Sequence, residues 1–278
     1  MPPKYYVHEN DDENWRLAQG SEVIRQAMGG ALIRAPVDLS QKNLRILDSA
    51  TGDGYQLAQI QATLPNKESA TLIGTDIQDR FPKPPPPGIL LQIQDILQPW
   101  PEEWKGSFDL VRQHLCLSSA GPRQADVVLR LGELVKPGGW IQLLEPENVI
   151  AEDDGPAHKQ WLAMLTELAG LIQIDVHFST KLESYLKDAG FEDVQSERVE
   201  TAMGAKVPLE ELREGSIKSV LLASKNVFGA GKMIPGGFKC MTAEELESWP
   251  TRWEQELKTK GGYFPMRVAW GKKPRSSA

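Results

Sequence analysis

The sequence predicts an α/β fold: a doubly wound, seven-stranded, mostly parallel sheet with extra helical segments near its start and late in the chain. Two observations carry that prediction. Short apolar runs with punctuation on both sides recur along the chain, which suits strands buried on both faces of a parallel sheet. Segments of helical period lie between them, and a strand, a glycine turn, a helix and a strand within about 30 residues make a right-handed βαβ crossover.

The elements follow in order. Leu44 to Asp48, Ala70 to Gly74 and Ile89 to Ile93 read as the first three strands. Tyr55 to Leu64 carries Leu57, Ala58, Ile60, Gln61 and Leu64 at helical spacing, and Pro65-Asn66 stops it. Phe108 to Val111 reads as a fourth strand. Arg123 to Lys136 is amphipathic, with Val127, Val128, Leu131, Leu134 and Val135 on one face. Pro137-Gly138-Gly139 turns the chain into a fifth strand, Trp140 to Leu144. A helix over Thr180 to Ala189 ends at Gly190, a C-cap glycine. Phe191 to Val199 and Tyr263 to Trp270 supply strands six and seven, and Leu209 to Phe228 and Thr242 to Lys258 are extra helices inserted before the last strand. Pro82 to Pro87 is a stiff surface connector. One domain over 1–278 accounts for this order: a helical cap at 1–43, a ligand-binding core at 44–145, and late helices with the last strands at 146–278.

Composition narrows the function. The 278 residues carry 31 Lys and Arg against 38 Asp and Glu, a formal charge of −7. That balance opposes a nucleic-acid partner, whose phosphates require clustered Lys and Arg. Cys116 and Cys240 are too few for a disulfide framework or a four-thiolate zinc site. His8, His158 and His177 are scattered without metal-ligand spacing, and Glu152-Asp153-Asp154 reads as an exposed loop or helix cap, so no metal is expected. The polar N-terminus lacks a secretory apolar run, and no stretch reaches the length of a membrane span. A cytoplasmic monomer without membrane or nucleic-acid partners is the expectation.

The informative stretch is Leu47-Asp48-Ser49-Ala50-Thr51-Gly52-Asp53-Gly54-Tyr55, which leaves a strand and opens a helix where open α/β sheets bind ligands. Gly52 and Gly54 let backbone approach a ligand, although a glycine pair there also serves as no more than a tight turn. Two acids add weight. Asp76 ends the second strand, where a carboxylate can accept from both ribose hydroxyls, and Asp95 follows the third strand near an adenine position. A nicotinamide enzyme requires the first two features but not Asp95, and prefers a small residue where Leu57 stands. No Walker lysine is present.

With Phe108-Asp109-Leu110-Val111 and Lys136-Pro137-Gly138-Gly139-Trp140, this ordered set resembles the class I S-adenosylmethionine-dependent methyltransferases across roughly residues 44–145. Ala50 departs from it, standing where the family generally has its first glycine. Glu13 to Leu17 and the closing Tyr263 to Pro274 look like fungal methyltransferases of secondary metabolism. That group includes regulatory members and enzymes that methylate small natural products, and the gliotoxin thiomethyltransferases are similar in length and plan.

The resemblance implies S-adenosyl-L-methionine as cofactor and a Rossmann-like fold. It places Asp48 near the methionine amine or in charge of the loop, with Ala50, Gly52 and Gly54 beneath methionine and ribose. Asp76 takes the ribose hydroxyls, with Ile77 beside it. Asp95 accepts from the adenine amino group, and Ile96 packs on the ring. Gln113 and His114 lie beside the sulfonium, and Arg16 reaches the cofactor carboxylate. His114 is the candidate catalytic base, its ordinary pKa suiting that role. Positioning is the other reading.

Tyr5, Tyr6, Trp15 and Phe178 are the expected acceptor contacts, from an aromatic and methionine set that also holds Trp161, Met164, Phe228, Met233, Phe238 and Met241. Ordinary core packing is the other use of such residues. After the fourth strand, enzymes acting on amide or adenine nitrogen carry an Asn/Asp-Pro-Pro-aromatic element; here stands Arg112-Gln113-His114-Leu115. No motif names the acceptor atom; the resemblance to the gliotoxin thiomethyltransferases alone implies a thiol of an epidithiodiketopiperazine-type dithiol. Oxygen or nitrogen of another natural product is the alternative, and a regulatory protein acting through partners is a third reading.

Overall fold

The structure, a computed structural model, describes residues 11–171 and 173–275. Its centre is a sheet of seven strands: β1 (Arg45–Ser49), β2 (Thr71–Asp76), β3 (Ile89–Ile93), β4 (Phe108–His114), β5 (Val135–Pro146), β6 (Glu192–Met203) and β7 (Gly262–Lys272). They lie in the order β3-β2-β1-β4-β5-β7-β6. The β1–β2, β1–β4, β2–β3 and β4–β5 pairs are parallel, and β5–β7 is antiparallel. The chain order reverses between β1 and β4, which sets the ligand crevice at the tip of β1.

The helices are α1 (Asp11–Ala27), α2 (Tyr55–Thr63), α3 (Gln124–Leu134), α4 (Pro156–Leu171), α5 (Leu182–Asp188), α6 (Glu210–Met233) and α7 (Ala243–Thr259). The apolar periods of α2 and α3 placed those two helices to within two residues. Residues Pro137 to Gly139 do not simply precede the fifth strand. They lie inside β5, which pairs with β4 at Phe108↔Val135 and resumes at Leu110↔Trp140, so the glycines form an excursion within one strand.

Two compact units make up the chain. One comprises 1–30, 148–176 and 200–265; the other comprises 31–147, 177–199 and 266–278. In this division 31–43 groups with the sheet and 148–176 with α1.

The second unit is built on the sheet. Leu47, Ile73, Val111, Ile141, Leu143 and Ala269 form one buried face, covered by Val127, Val128 and Leu131 of α3 and by Leu182 and Leu186 of α5. Trp104 bridges Trp100 and Phe108 at ring separations of 6.0 and 5.5 Å. The first unit has its own core, in which Trp161, Trp249 and Trp253 pack with centroids 4.6–5.8 Å apart. Thr242 and Glu245 close a reciprocal capping box at the start of α7. Among the described residues, no helix is long and apolar enough to cross a membrane.

Gly74, in the middle of β2, shapes the crevice by leaving room for the loop after β1. A Cβ there would lie 2.7 Å from Leu91 Cδ2 and 2.8 Å from Thr51 Cγ2. The missing side chain is what lets the loop after β1 settle onto β2. Gly74→Val is expected to lower stability by about 1–3 kcal/mol through overpacking, read as a lower urea midpoint; an unchanged midpoint would contradict this role.

Candidate active site

The loop after β1 is held in left-handed backbone. Ala50, Gly52 and Gly54 have φ of 56, 66 and 85°. Such angles explain why glycine is favoured at the first position, and alanine there accepts a modest steric penalty. The loop is tied to β2: Thr51 N donates to Thr75 O at 2.8 Å, and Gly52 N to Asp76 Oδ2 at 3.0 Å. Asp76 Oδ1 accepts from Gln78 N at 3.0 Å. Asp76 is therefore a buried carboxylate that organises both its own turn and the glycine loop. Beside it, Ile77 is 57% exposed, an apolar side chain set at the rim of the crevice.

Asp95 is half-buried and uses Oδ1 to accept from Leu97 N at 2.8 Å. Ile96 is buried in the core with Trp100 and Trp104.

A polar row crosses the sheet beneath the loop. Asp48, Arg112 and Gln142 stand in register on β1, β4 and β5. The Arg112 side chain is wholly buried, and its Nη2 donates to Gln56 Oε1 of α2 at 2.6 Å. Its Nη1 lies 3.4 Å from Asp48 Oδ1, an ion pair without hydrogen-bond alignment. Asp48 Oδ2 accepts from Thr51 Oγ1 at 2.7 Å. Burial raises the Asp48 carboxyl above its usual range, and Arg112 opposes that shift. Burial likewise lowers the pKa of Arg112, which nevertheless stays cationic.

His114 closes the row. Arg112 Nη2 sits 2.6 and 3.0 Å from its two ring nitrogens, and Gln142 Nε2 approaches Nε2 at 3.3 Å. Gln142 is oriented by its other contacts: its Oε1 accepts from Arg34 N and Ala35 N, and its Nε2 donates to Leu32 O. The ring thus faces two donor groups. Burial, and then the Arg112 charge, hold its pKa well below 6.5. A neutral imidazole results, and it resists the extra proton that a general base must take up. On the opposite face of β4, Gln113 Nε2 donates to Ser49 Oγ at 2.9 Å.

Sequence reasoning missed Glu145, at the tip of β5. Its Oε1 accepts from Cys116 N and Leu117 N, both at 2.9 Å, while Oε2 is buried with no partner among the described residues. Burial pushes the carboxyl up to about 8, against the pull of the two amide donors. The neighbouring Cys116 thiol is pushed up to about 12, chiefly by burial, so it stays protonated and unreactive. The signal in the sequence was the Glu that ends the mostly apolar strand run Ile141 to Leu144.

The remaining expected contacts have the following surroundings within their own units. Arg16, in α1 of the first unit, forms a two-point pair with Glu13 at 2.6 and 2.7 Å. Trp15, on the same helix, has the Lys218 ammonium 4.3 Å from its ring centroid. Phe178 is 2% exposed within the sheet core, so its apolar ring packs there rather than on a crevice wall. Trp161, Met164, Phe238 and Met241 are core residues of the first unit. Tyr5 and Tyr6 lie outside the described residues. No group of three or more His, Cys, Asp or Glu residues is placed to hold a metal among the described residues.

The sheet order and the glycine loop with its acidic strand tip are those of class I methyltransferases. Comparison with known proteins extends this. The chain is 33% identical over 285 residues to the N-methyltransferase sirN of Leptosphaeria maculans, covering 99% of this chain and 96% of that one. It is 31% identical over 277 residues to the N-methyltransferase gliN of Aspergillus fumigatus, covering 97% and 96%. Among solved structures, it is similar to the Haemonchus contortus phosphoethanolamine N-methyltransferase 2 in complex with S-adenosyl-L-methionine. That likeness has a TM-score of 0.52 at 15% identity, over 98% of this chain and 61% of that one, and shows the fold alone. No family model matches. The chain belongs to the fungal methyltransferase family that includes sirN and gliN, the group its motif order resembles.

The raised pKa of Glu145 has a signed consequence. Between about 4.5 and about 8 the folded chain holds a proton that the unfolded chain releases. Stability from this group is full below the lower value and lost as pH rises through the upper one. Thermal melts are expected to show that decline and Glu145→Gln to flatten it; a decline of equal steepness in the variant would contradict the assignment.

Proposed function

We propose that the chain transfers a methyl group from S-adenosyl-L-methionine to a nitrogen of a small secondary metabolite. The observation that carries the donor assignment is the left-handed loop after β1 tied to the Asp76 carboxylate. When bound, the donor supplies an electrophilic methyl on a sulfonium together with its own leaving group. The residues present fit such a molecule. Each Asp76 oxygen accepts one backbone N–H and keeps a lone pair for a ribose hydroxyl. Ile77 offers exposed apolar surface to an adenine ring. Ala50, Gly52 and Gly54 bring backbone up to the methionine and ribose, and Asp48 organises the loop floor through Thr51. Asp95 faces the adenine amino group in this reading, with Ile96 beneath it.

The relatives' names move the preferred acceptor from sulfur to nitrogen. In a family with members named N-methyltransferases, the missing Asn/Asp-Pro-Pro-aromatic element loses its weight against nitrogen. The state of His114 is compatible with an acceptor nitrogen that attacks as the neutral amine, the proton of the methylated product being released to solvent. A neutral ring between Arg112 and Gln142 orients groups at the strand tip but is a poor proton acceptor. The chain's work is then alignment of the nucleophile and exclusion of water. A thiol acceptor is the second reading, since a thiol near its ordinary pKa already supplies some thiolate.

Methyl transfer to a panel separates these readings: a cyclic dipeptide dithiol, the same compound with both sulfurs already methylated, N-methylbenzylamine and a phenol. Activity on the S-methylated cyclic dipeptide or the amine is expected; activity confined to the free dithiol would restore sulfur. With N-methylbenzylamine as acceptor the kcat/KM profile is expected to follow ionisation of the amine. An inflection between pH 6 and 7 that disappears in His114→Gln would instead make His114 the base. Asp76→Ala is expected to weaken S-adenosylhomocysteine binding by about 1.5–3 kcal/mol. Calorimetry showing native affinity would contradict the ribose assignment.

A further inference from the structure

The corner that follows β4 is bent so as to turn one side chain outward. Leu115 has φ of 55°, in the left-handed region that a branched, bulky residue seldom adopts. It is 42% exposed, although His114 before it and Leu117 after it are buried. The bend is fixed at three points. Leu115 N donates to Leu144 O at 2.8 Å, and Glu145 Oε1 takes the N–H groups of both Cys116 and Leu117. Glu145 is itself wholly buried, and its second oxygen has no partner among the described residues.

Each feature is unfavourable taken alone. Glycine would make the turn without strain, and a polar side chain would suit the exposure. A lone exposed leucine is ordinary. Here it coincides with strained backbone and a buried carboxyl, all acting on the same three residues. Such strain persists where the surrounding structure holds it for a purpose. The place is specific too: Gln113 on β4 is in register with Ser49 on β1, so the corner lies beside the strand tip that carries the glycine loop.

We infer that Leu115 is a specificity-determining contact for the methyl acceptor, taking an apolar ring or alkyl face next to the nucleophilic atom, and that Glu145 is the positioning residue that presents it. This rests on the methyl-transfer reading above. It names an apolar acceptor surface at a point where the sequence offered only the polar Gln113 and His114. Glu145 acts through the backbone of residues 116 and 117, so a carboxamide can replace it and an aliphatic side chain cannot.

The test is steady-state kinetics on the full chain, with the S-methylated cyclic dipeptide as acceptor or the panel compound turned over fastest. S-adenosylhomocysteine affinity is measured by calorimetry on the same proteins. Leu115→Gly relieves the left-handed strain, so its urea midpoint is expected to match or exceed the native value. Its acceptor KM is expected to rise about tenfold, as for lost apolar contact in a pocket, with S-adenosylhomocysteine affinity held within twofold. Glu145→Leu should raise KM in the same way, and Glu145→Gln should restore it. Leu115→Gly and Glu145→Gln decide the matter even if Glu145→Leu does not fold. A native KM in Leu115→Gly with intact S-adenosylhomocysteine binding overturns this inference alone. Failure of the native chain to bind S-adenosylhomocysteine overturns the reading beneath it as well.

Discussion

The contact between the Asp76 carboxylate and the Gly52 amide is the constraint on which the crevice depends. It joins the tip of β2 to the loop leaving β1, and so converts two neighbouring strand ends into one surface. The loop can lie there only because Ala50, Gly52 and Gly54 accept left-handed backbone and Gly74 leaves room for Thr51. A carboxylate in that position has a second capacity. Its oxygens are partly used by backbone donors and keep acceptor strength for an incoming hydroxyl pair. In the proposed function, loop structure and donor recognition draw on the same side chain.

The row beneath the loop works by charge. One buried guanidinium, Arg112, reaches Asp48, Gln56 and His114, linking β1, the first turn of α2 and the tip of β4. Removing a guanidinium from water is costly unless it is paired and hydrogen-bonded. Asp48 offers an imperfect pair and Gln56 a good hydrogen bond. The arrangement favours a neutral histidine over an imidazolium, because a second cation beside Arg112 is repelled.

Much of this was legible in the sequence, because the relevant signals are local. Asp48, the glycine pair, Asp76 and Asp95 follow strands whose apolar runs are unmistakable, and the order of the turns fixes a parallel sheet. What stayed hidden depends on register and burial. Glu145 looks like one more acid at a strand end until β5 is laid against β4, when its oxygen meets the amides of Cys116 and Leu117. Phe178 has the composition of a binding residue but the position of a core residue. The low pKa of His114 comes first from burial and then from Arg112, two residues away on the same face of one strand, and neither is exposed by a list of titratable residues. Leu115 gave no signal at all, since its strain is a property of backbone angle.

The most direct measurement is calorimetric titration of the full chain with S-adenosylhomocysteine, with NAD titrated in parallel. Saturable one-to-one binding of S-adenosylhomocysteine and no heat from NAD is the result this account predicts. Binding of NAD instead, or of neither molecule at millimolar concentration, would contradict it.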